Sequence, residues 1–288
     1  MEEKTMKSEI KKPLRIVAIG DSITAGFHAG SNISMLWQMW FGKKKSWFSE
    51  VVKRIGKEMP VYAFNFSTAS SELVDHAFSG FWEKLFNVKT MADQVDELLS
   101  LPKLPDLVLI WIGHNDLDWV RKNEKNFDSA TARFKENFQN QLERLCGQIS
   151  QKDHRAVVVV FGFINIRIFF DLREKAGIAK QNNPKLFPYF EKGYQIFKSI
   201  QPEYGEQTIQ LSDLTNQAIV DATTFLQNKF QSNKFKIIYS TDLSNVTTDS
   251  IQSLHAVDGW HPSLYGQKQL AEACWPIIWD CLSFFKID

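Results

Sequence analysis

Five short apolar runs, none alternating with polar residues, set the tightest limit on how this chain can fold: Arg15 to Ile19, Val61 to Phe66, Leu107 to Ile112, Ala156 to Ile164 and Phe235 to Tyr239. Each is rich in β-branched or aromatic residues, and a strand that is apolar at every position is one covered on both faces. Helical patterns lie between them. Phe127, Phe134, Phe138, Leu142, Leu145 and Ile149 fall at helical spacing and draw one apolar stripe. Leu270, Cys274, Ile277, Cys281 and Phe285 suggest a closing helix, with Pro276 expected near its start or at a kink. Strand alternating with helix predicts right-handed crossovers and a single-domain, three-layer α/β/α sandwich around a mostly parallel five-stranded sheet. Ligands of such sheets bind beyond the strands' carboxyl ends.

Two segments fall outside this rhythm, 27–46 and 167–190, and are expected to be insertions of the functional-loop or lid type. The first is crowded with Met35, Trp37, Met39, Trp40 and Phe41. It reads either as an apolar wall for an acyl chain or as a lid that completes the core. No repeat, linker or shift in composition marks a boundary, so 13–288 reads as one domain behind a charged tail, 1–12.

With 288 residues, 44% of them hydrophobic, the chain can bury a large core. Its 34 basic and 33 acidic residues leave a formal charge of +1, too little to draw it onto nucleic acid or an anionic membrane. The three cysteines, Cys146, Cys274 and Cys281, form no CxxC pair and read as small buried hydrophobes. The first residues lack the basic-then-apolar pattern of a secretory signal, and no apolar run reaches the roughly 18 residues of a membrane span. A cytoplasmic protein without stable membrane insertion is expected, signal-less export being compatible with the same pattern. Asn-x-Ser/Thr triplets at Asn32, Asn65 and Asn245 are then chance. Nothing in the sequence sets an oligomeric state.

Three clusters carry chemistry. Gly20-Asp21-Ser22 follows the first strand and puts a hydroxyl just past its carboxyl end, although Asp-Ser there also reads as a helix cap. Gly113-His114-Asn115-Asp116 follows the third, where an Asn amide can donate to a developing oxyanion or simply cap a turn. Asp258-Gly259-Trp260-His261 spaces a carboxylate and an imidazole so that one can orient the other. A serine hydroxyl is a weak nucleophile until an imidazole takes its proton, and the imidazole needs a partner on its other nitrogen. Each cluster alone is common. Together, at one edge of one sheet, they are not.

In order and spacing these clusters resemble the conserved blocks of the GDSL/SGNH hydrolases, serine esterases and lipases of flavodoxin-like fold. The resemblance implies Ser22 as nucleophile, His261 as base and then acid, Asp258 as its orienter, and Asn115 with the Ser22 N–H as oxyanion donors. It implies no cofactor and no metal. One block departs: where the family has a glycine whose N–H joins the oxyanion hole, Asn65-Phe66-Ser67-Thr68-Ala69-Ser70-Ser71 offers Ser70. A backbone N–H needs no particular side chain, but serine resists the positive φ that glycine accepts. The substrate is expected to be a small-molecule or lipid-like ester, a lysophospholipid for example. A sugar O-acetyl ester is the alternative, and a catalytically silent binding protein on the same fold is the reading from a different class.

Other motifs carry less. Gly20-Asp21-Ser22-Ile23-Thr24 comes within one residue of a Gly-x-Ser-x-Gly elbow, but such an elbow follows several earlier strands, not the first. His28 and His114 have no sequence partner and read as loop decoration, and His76, His154 and His255 lack metal spacing. Gly42-Lys43-Lys44-Lys45-Ser46 lacks the upstream glycine of a phosphate loop.

Overall fold

The computed structural model describes residues 12–27, 29, 45–73, 88–151 (the side chain of Lys122 excepted), 154–186, 205–246, 250–254 and 261–285. The five apolar runs form five strands: β1 (Leu14–Gly20), β2 (Val61–Asn65), β3 (Leu107–Trp111), β4 (Ala156–Phe161) and β5 (Phe235–Ser240). They make one sheet in the order β2-β1-β3-β4-β5, with every neighbouring pair parallel. The chain moves outward from β1 to β2 and then crosses back to β3. That reversal opens a crevice at the carboxyl ends of β1 and β3.

The helices among the described residues are α1 (Trp47–Ile55), α2 (Met91–Leu99), α3 (His114–Asn123), α4 (Phe127–Ser150), α5 (Ile166–Asn182), α6 (Gly205–Phe230) and α7 (Leu264–Phe285). The strand pleat sorts the core between two layers of them. Val17, Ile19, Val108, Ile110, Val158 and Val160 pack with residues of α2, α4 and α6. Their neighbours Ile16, Ala18, Leu107, Leu109, Val157 and Val159 pack with α1 and α7. Hence the runs show no alternation: both faces of the inner strands are dry. The α4 stripe buries Phe134, Phe138, Leu142, Leu145 and Ile149 as its spacing predicts. Truncating Phe138, 1% exposed, to alanine costs about 3–5 kcal/mol. All three cysteines are free and buried, and burial raises their thiols far above the usual range, Cys281 to about 12.

Two expectations are corrected and a third is narrowed. The second strand is not covered on both faces: β2 is the sheet's edge, and Tyr62 and Phe64 are exposed. Segment 167–190 is helical over most of its described part rather than a loop. Residues 167–182 belong to α5, which buries Phe169, Leu172 and Ala176 against Leu254 in a small cluster of its own. Of the two places expected for Pro276, the structure gives the interior of α7 and not its start. Both Pro276 and Glu272, four residues earlier, are exposed.

Candidate active site

The site is built from the ends of β1 and β3. Gly20 closes β1 where no side chain fits: a Cβ there would lie 2.6 Å from the Trp111 carbonyl oxygen and 2.5 Å from Thr24 Oγ1. The chain then turns on its own hydrogen bonds. The Ile23 N–H donates to Asp21 Oδ1 (3.0 Å), Ala25 N–H to the Asp21 carbonyl (2.9 Å) and Phe27 N–H to the Ser22 carbonyl (2.9 Å). Outer props fix the turn to the sheet, with Asn65 Nδ2 donating to the Thr24 carbonyl at 3.0 Å and Gln267 Nε2 to the Ile23 carbonyl at 3.1 Å. Asp21 serves as an Asx-type cap of this turn, which runs through 22–27 without a regular helix.

Ser22, 8% exposed, meets His261, 4% exposed, with Oγ and Nε2 3.0 Å apart. The imidazole sits edge-on to the Phe27 ring, centroids 4.9 Å apart. Its place is set by the chain on both sides. Pro262 bridges to Leu254, and the Ser263 N–H donates to the Ser253 carbonyl at 2.8 Å before α7 begins. One turn into α7, buried Gln267 reaches back to the Ser22 turn. The element that presents the imidazole thus also clamps the serine turn. Asp258 lies outside the described residues, as do His28, His76, His255 and most of segment 27–46.

At the end of β3, Gly113 adopts φ +114° and leads directly into α3, whose first turn carries His114, Asn115 and Asp116. Asn115 Nδ2 donates to the Ser71 carbonyl at 2.8 Å, and because an amide carries two N–H groups one remains for a ligand. Both Asp116 carboxylate oxygens lie 3.1 Å from the Leu73 amide nitrogen. Burial, reinforced by the charge of Glu72, holds the Asp116 carboxyl well above the ordinary carboxylate range. Between these contacts sits Ser70 at φ +64°, the single non-glycine residue at positive φ among the described residues. The serine occupies the left-handed conformation that the family's glycine would accept freely.

Two buried groups escape sequence reasoning. His114 is paired after all: its Nδ1 lies 2.7 Å from Asp21 Oδ2, with both side chains nearly inaccessible. The partners stand 93 residues apart in sequence, and the only signal was that each adjoins a candidate site residue. Gln94 on α2 is fully buried and contacts both Gly20 and Ser71. Here a signal existed, since Gln94 interrupts the apolar stripe Met91, Val95, Leu98. His154 lies at the opposite edge, near the Pro105 carbonyl. Among the described residues no three His, Cys, Asp or Glu side chains gather as metal ligands would.

A parallel sheet of this strand order, with a Gly-Asp-Ser turn ending β1 and a histidine introducing the last helix, defines an SGNH-hydrolase fold. The model of the GDSL-like lipase/acylhydrolase family matches residues 16–274, and the chain belongs to that family. No curated protein matches the chain closely. Among solved structures it is similar to the lipase Lip_vut3 from a goat rumen metagenome, at 17% identity over 91% of this chain and 96% of that one, TM-score 0.50. It is also similar to the extracellular lipase of Streptomyces rimosus, at 15% identity over 93% and 99%, TM-score 0.50. A family two carbohydrate esterase from Clostridium thermocellum aligns at 12% identity over 95% and 66%, TM-score 0.52. At such identities these likenesses establish the fold.

Proposed function

We propose that the chain hydrolyses carboxylic esters by two-step acyl transfer through Ser22. The observation that carries this reading is the 3.0 Å contact between Ser22 Oγ and His261 Nε2 at the carboxyl edge of the sheet. His261 takes the hydroxyl proton as Oγ attacks the ester carbonyl carbon, and the carbonyl π electrons move onto oxygen. The Ser22 and Ser70 N–H groups and the free Asn115 N–H hold that oxyanion. Collapse expels the alcohol oxygen, which recovers the proton from His261. Water then repeats the sequence on the acyl-enzyme. Asp258 is assigned as the orienter of His261 on its motif alone. What supports Ser70 is its left-handed backbone, and what supports Asn115 is its seat beside Ser71.

Phe27, packed on the imidazole, offers apolar surface beside the nucleophile and favours a lipid-like acyl group. Hydrolysis of p-nitrophenyl esters of increasing chain length tests this, with cleavage of acetyl esters alone favouring a sugar O-acetylesterase. If segment 27–46 lines the acyl site, Trp37→Ala or Trp40→Ala raises KM for medium chains only, by about 1–3 kcal/mol of discrimination. The decisive test of the chemistry is Ser22→Ala and His261→Ala, each expected to lower turnover by roughly 10⁴-fold or more in a folded protein. A phosphonofluoridate should label Ser22 alone. Near-wild-type turnover in either variant, or labelling elsewhere or not at all, overturns the assignment and leaves a binding protein on the same fold.

A further inference from the structure

We infer that Gln94 is a positioning residue for this reaction, its buried amide setting the spacing between the nucleophile turn and the oxyanion loop. The inference rests on the esterase reading above. In the parallel ladder Ala18 pairs with Asn65, where β2 ends, yet β1 continues to Gly20. Beyond that point the chain after β2 supplies Gly20 with one long contact, from the Thr68 N–H to its carbonyl at 3.3 Å. The Gln94 side chain takes the place of the missing strand. Its Oε1 accepts the Gly20 N–H at 2.9 Å and its Nε2 donates to the Gly20 carbonyl at 3.0 Å.

The second Nε2 hydrogen goes to Ser71 Oγ at 2.9 Å. Ser71 in turn offers its carbonyl to Asn115 and follows Ser70 in the chain. One amide therefore joins the residue two before the nucleophile to the loop that carries Ser70 and receives Asn115. A leucine at this position would complete the apolar stripe of α2, so the polar group is held for its hydrogen bonds rather than its packing. Acyl transfer needs donors aimed where the oxyanion forms, and a misplacement of about 1 Å costs on the order of 100-fold in rate.

The experiment compares wild type, Gln94→Met, Gln94→Glu and Ser71→Ala by kcat and KM on one p-nitrophenyl ester, by the rate of phosphonate labelling at Ser22, and by thermal unfolding. Methionine keeps the volume and removes the hydrogen bonds. Its kcat and labelling rate are expected to fall together by roughly 10- to 100-fold while KM stays within about 2-fold, measured on folded protein. A neutral glutamic acid keeps one donor and one acceptor, whereas the ionised form only accepts. Gln94→Glu should thus approach wild-type turnover in acid and lose it as pH rises, adding a descending limb that a purely structural role would not create. Ser71→Ala, which removes one of the three short Gln94 contacts together with the bond between Ser71 Oγ and Thr68 Oγ1, serves where the methionine variant does not fold, with a loss of about 3- to 10-fold in kcat expected. Wild-type kcat in folded Gln94→Met or Ser71→Ala, a change in KM alone, or a Gln94→Glu profile parallel to wild type overturns the inference. Failure of the esterase reading is seen separately, as a wild-type protein that neither turns over esters nor labels at Ser22.

Discussion

The loops leaving β1 and β2 lie side by side, yet local and distant hydrogen bonds are shared out differently between them. The nucleophile turn, 21–27, is built from hydrogen bonds between residues two to five apart, with outer props added. The loop after β2, 66–73, has local bonds only in its first half, where Asn65 Oδ1 accepts the Ser67 N–H and the Ser71 N–H donates to the Thr68 carbonyl, and its second half hangs from distant groups: Gln94, Asn115, Asp116 and the backbone at 91. A turn that specifies itself leaves a recognisable motif. A loop specified by others tolerates a serine where the family has glycine, because its partners over-determine the backbone.

The largest expected effect breaks the comparison on the nucleophile's side. His114→Ala leaves Asp21 as a buried carboxylate without its ring partner, in a side chain 1% exposed. Losing one member of such a buried pair costs about 3–5 kcal/mol, readable by denaturant unfolding. If the variant lost less than about 1 kcal/mol, the turn would be self-sufficient and the pair ornamental. Next comes Asn115→Ala, which removes both the proposed oxyanion donor and the tie to Ser71. A kcat loss of about 10²–10³-fold with KM little changed is expected. A loss expressed mainly in KM would make Asn115 a substrate-binding group instead.

How much was legible follows the same division. The five strands, their parallel arrangement and the α4 stripe could be read because covered strands and amphipathic helices write their surroundings into every position. Ser22, Asn115 and His261 could be singled out as candidates because each sits in a short motif at an element's end, and the structure brings Ser22 and His261 into contact. Their mutual placement was not written in any window, and Asp21 with His114 shows why: two residues that look like turn formers become partners only through the β1–β3 pairing. The edge position of β2 was hidden likewise, since an exposed Tyr62 and Phe64 carry the same β propensity as buried ones. Segment 167–190 was misread because α5 packs largely against its own small cluster instead of the sheet, which blurs the stripe.

Asp116 gives a pH-dependent test of the distant props. Burial, then Glu72 and Asp21, raise its carboxyl well above the ordinary value of 3.8. The folded protein therefore keeps a proton over a range where the unfolded chain has lost it. Stability contributed by this group is highest in acid and falls as pH rises from about 3.8 through the raised value. Asp116→Asn keeps an acceptor for the Leu73 N–H and cannot ionise. Its stability relative to wild type should grow as pH rises above about 3.8 and level off once the raised value is passed. Parallel curves in denaturant unfolding would mean that Asp116 stays ionised in the folded protein and that its bond to Leu73 outweighs burial.

The smallest effect sharpens the comparison most, because it touches only the residue that the props hold in place. Ser70 sits at φ +64°, where a side chain costs roughly 1–2 kcal/mol relative to glycine. Glycine in turn gives up about 0.4–1 kcal/mol through the greater freedom of the unfolded chain. Ser70→Gly should therefore stabilise the protein by about 0.5–1 kcal/mol, the difference of the two terms. Turnover should change little, since the N–H proposed to meet the oxyanion is common to both residues. If the variant is instead less stable and less active, the loop after β2 depends on the stiffness of a serine backbone. The distant partners then do not suffice to hold it, and the contrast with the nucleophile turn fails.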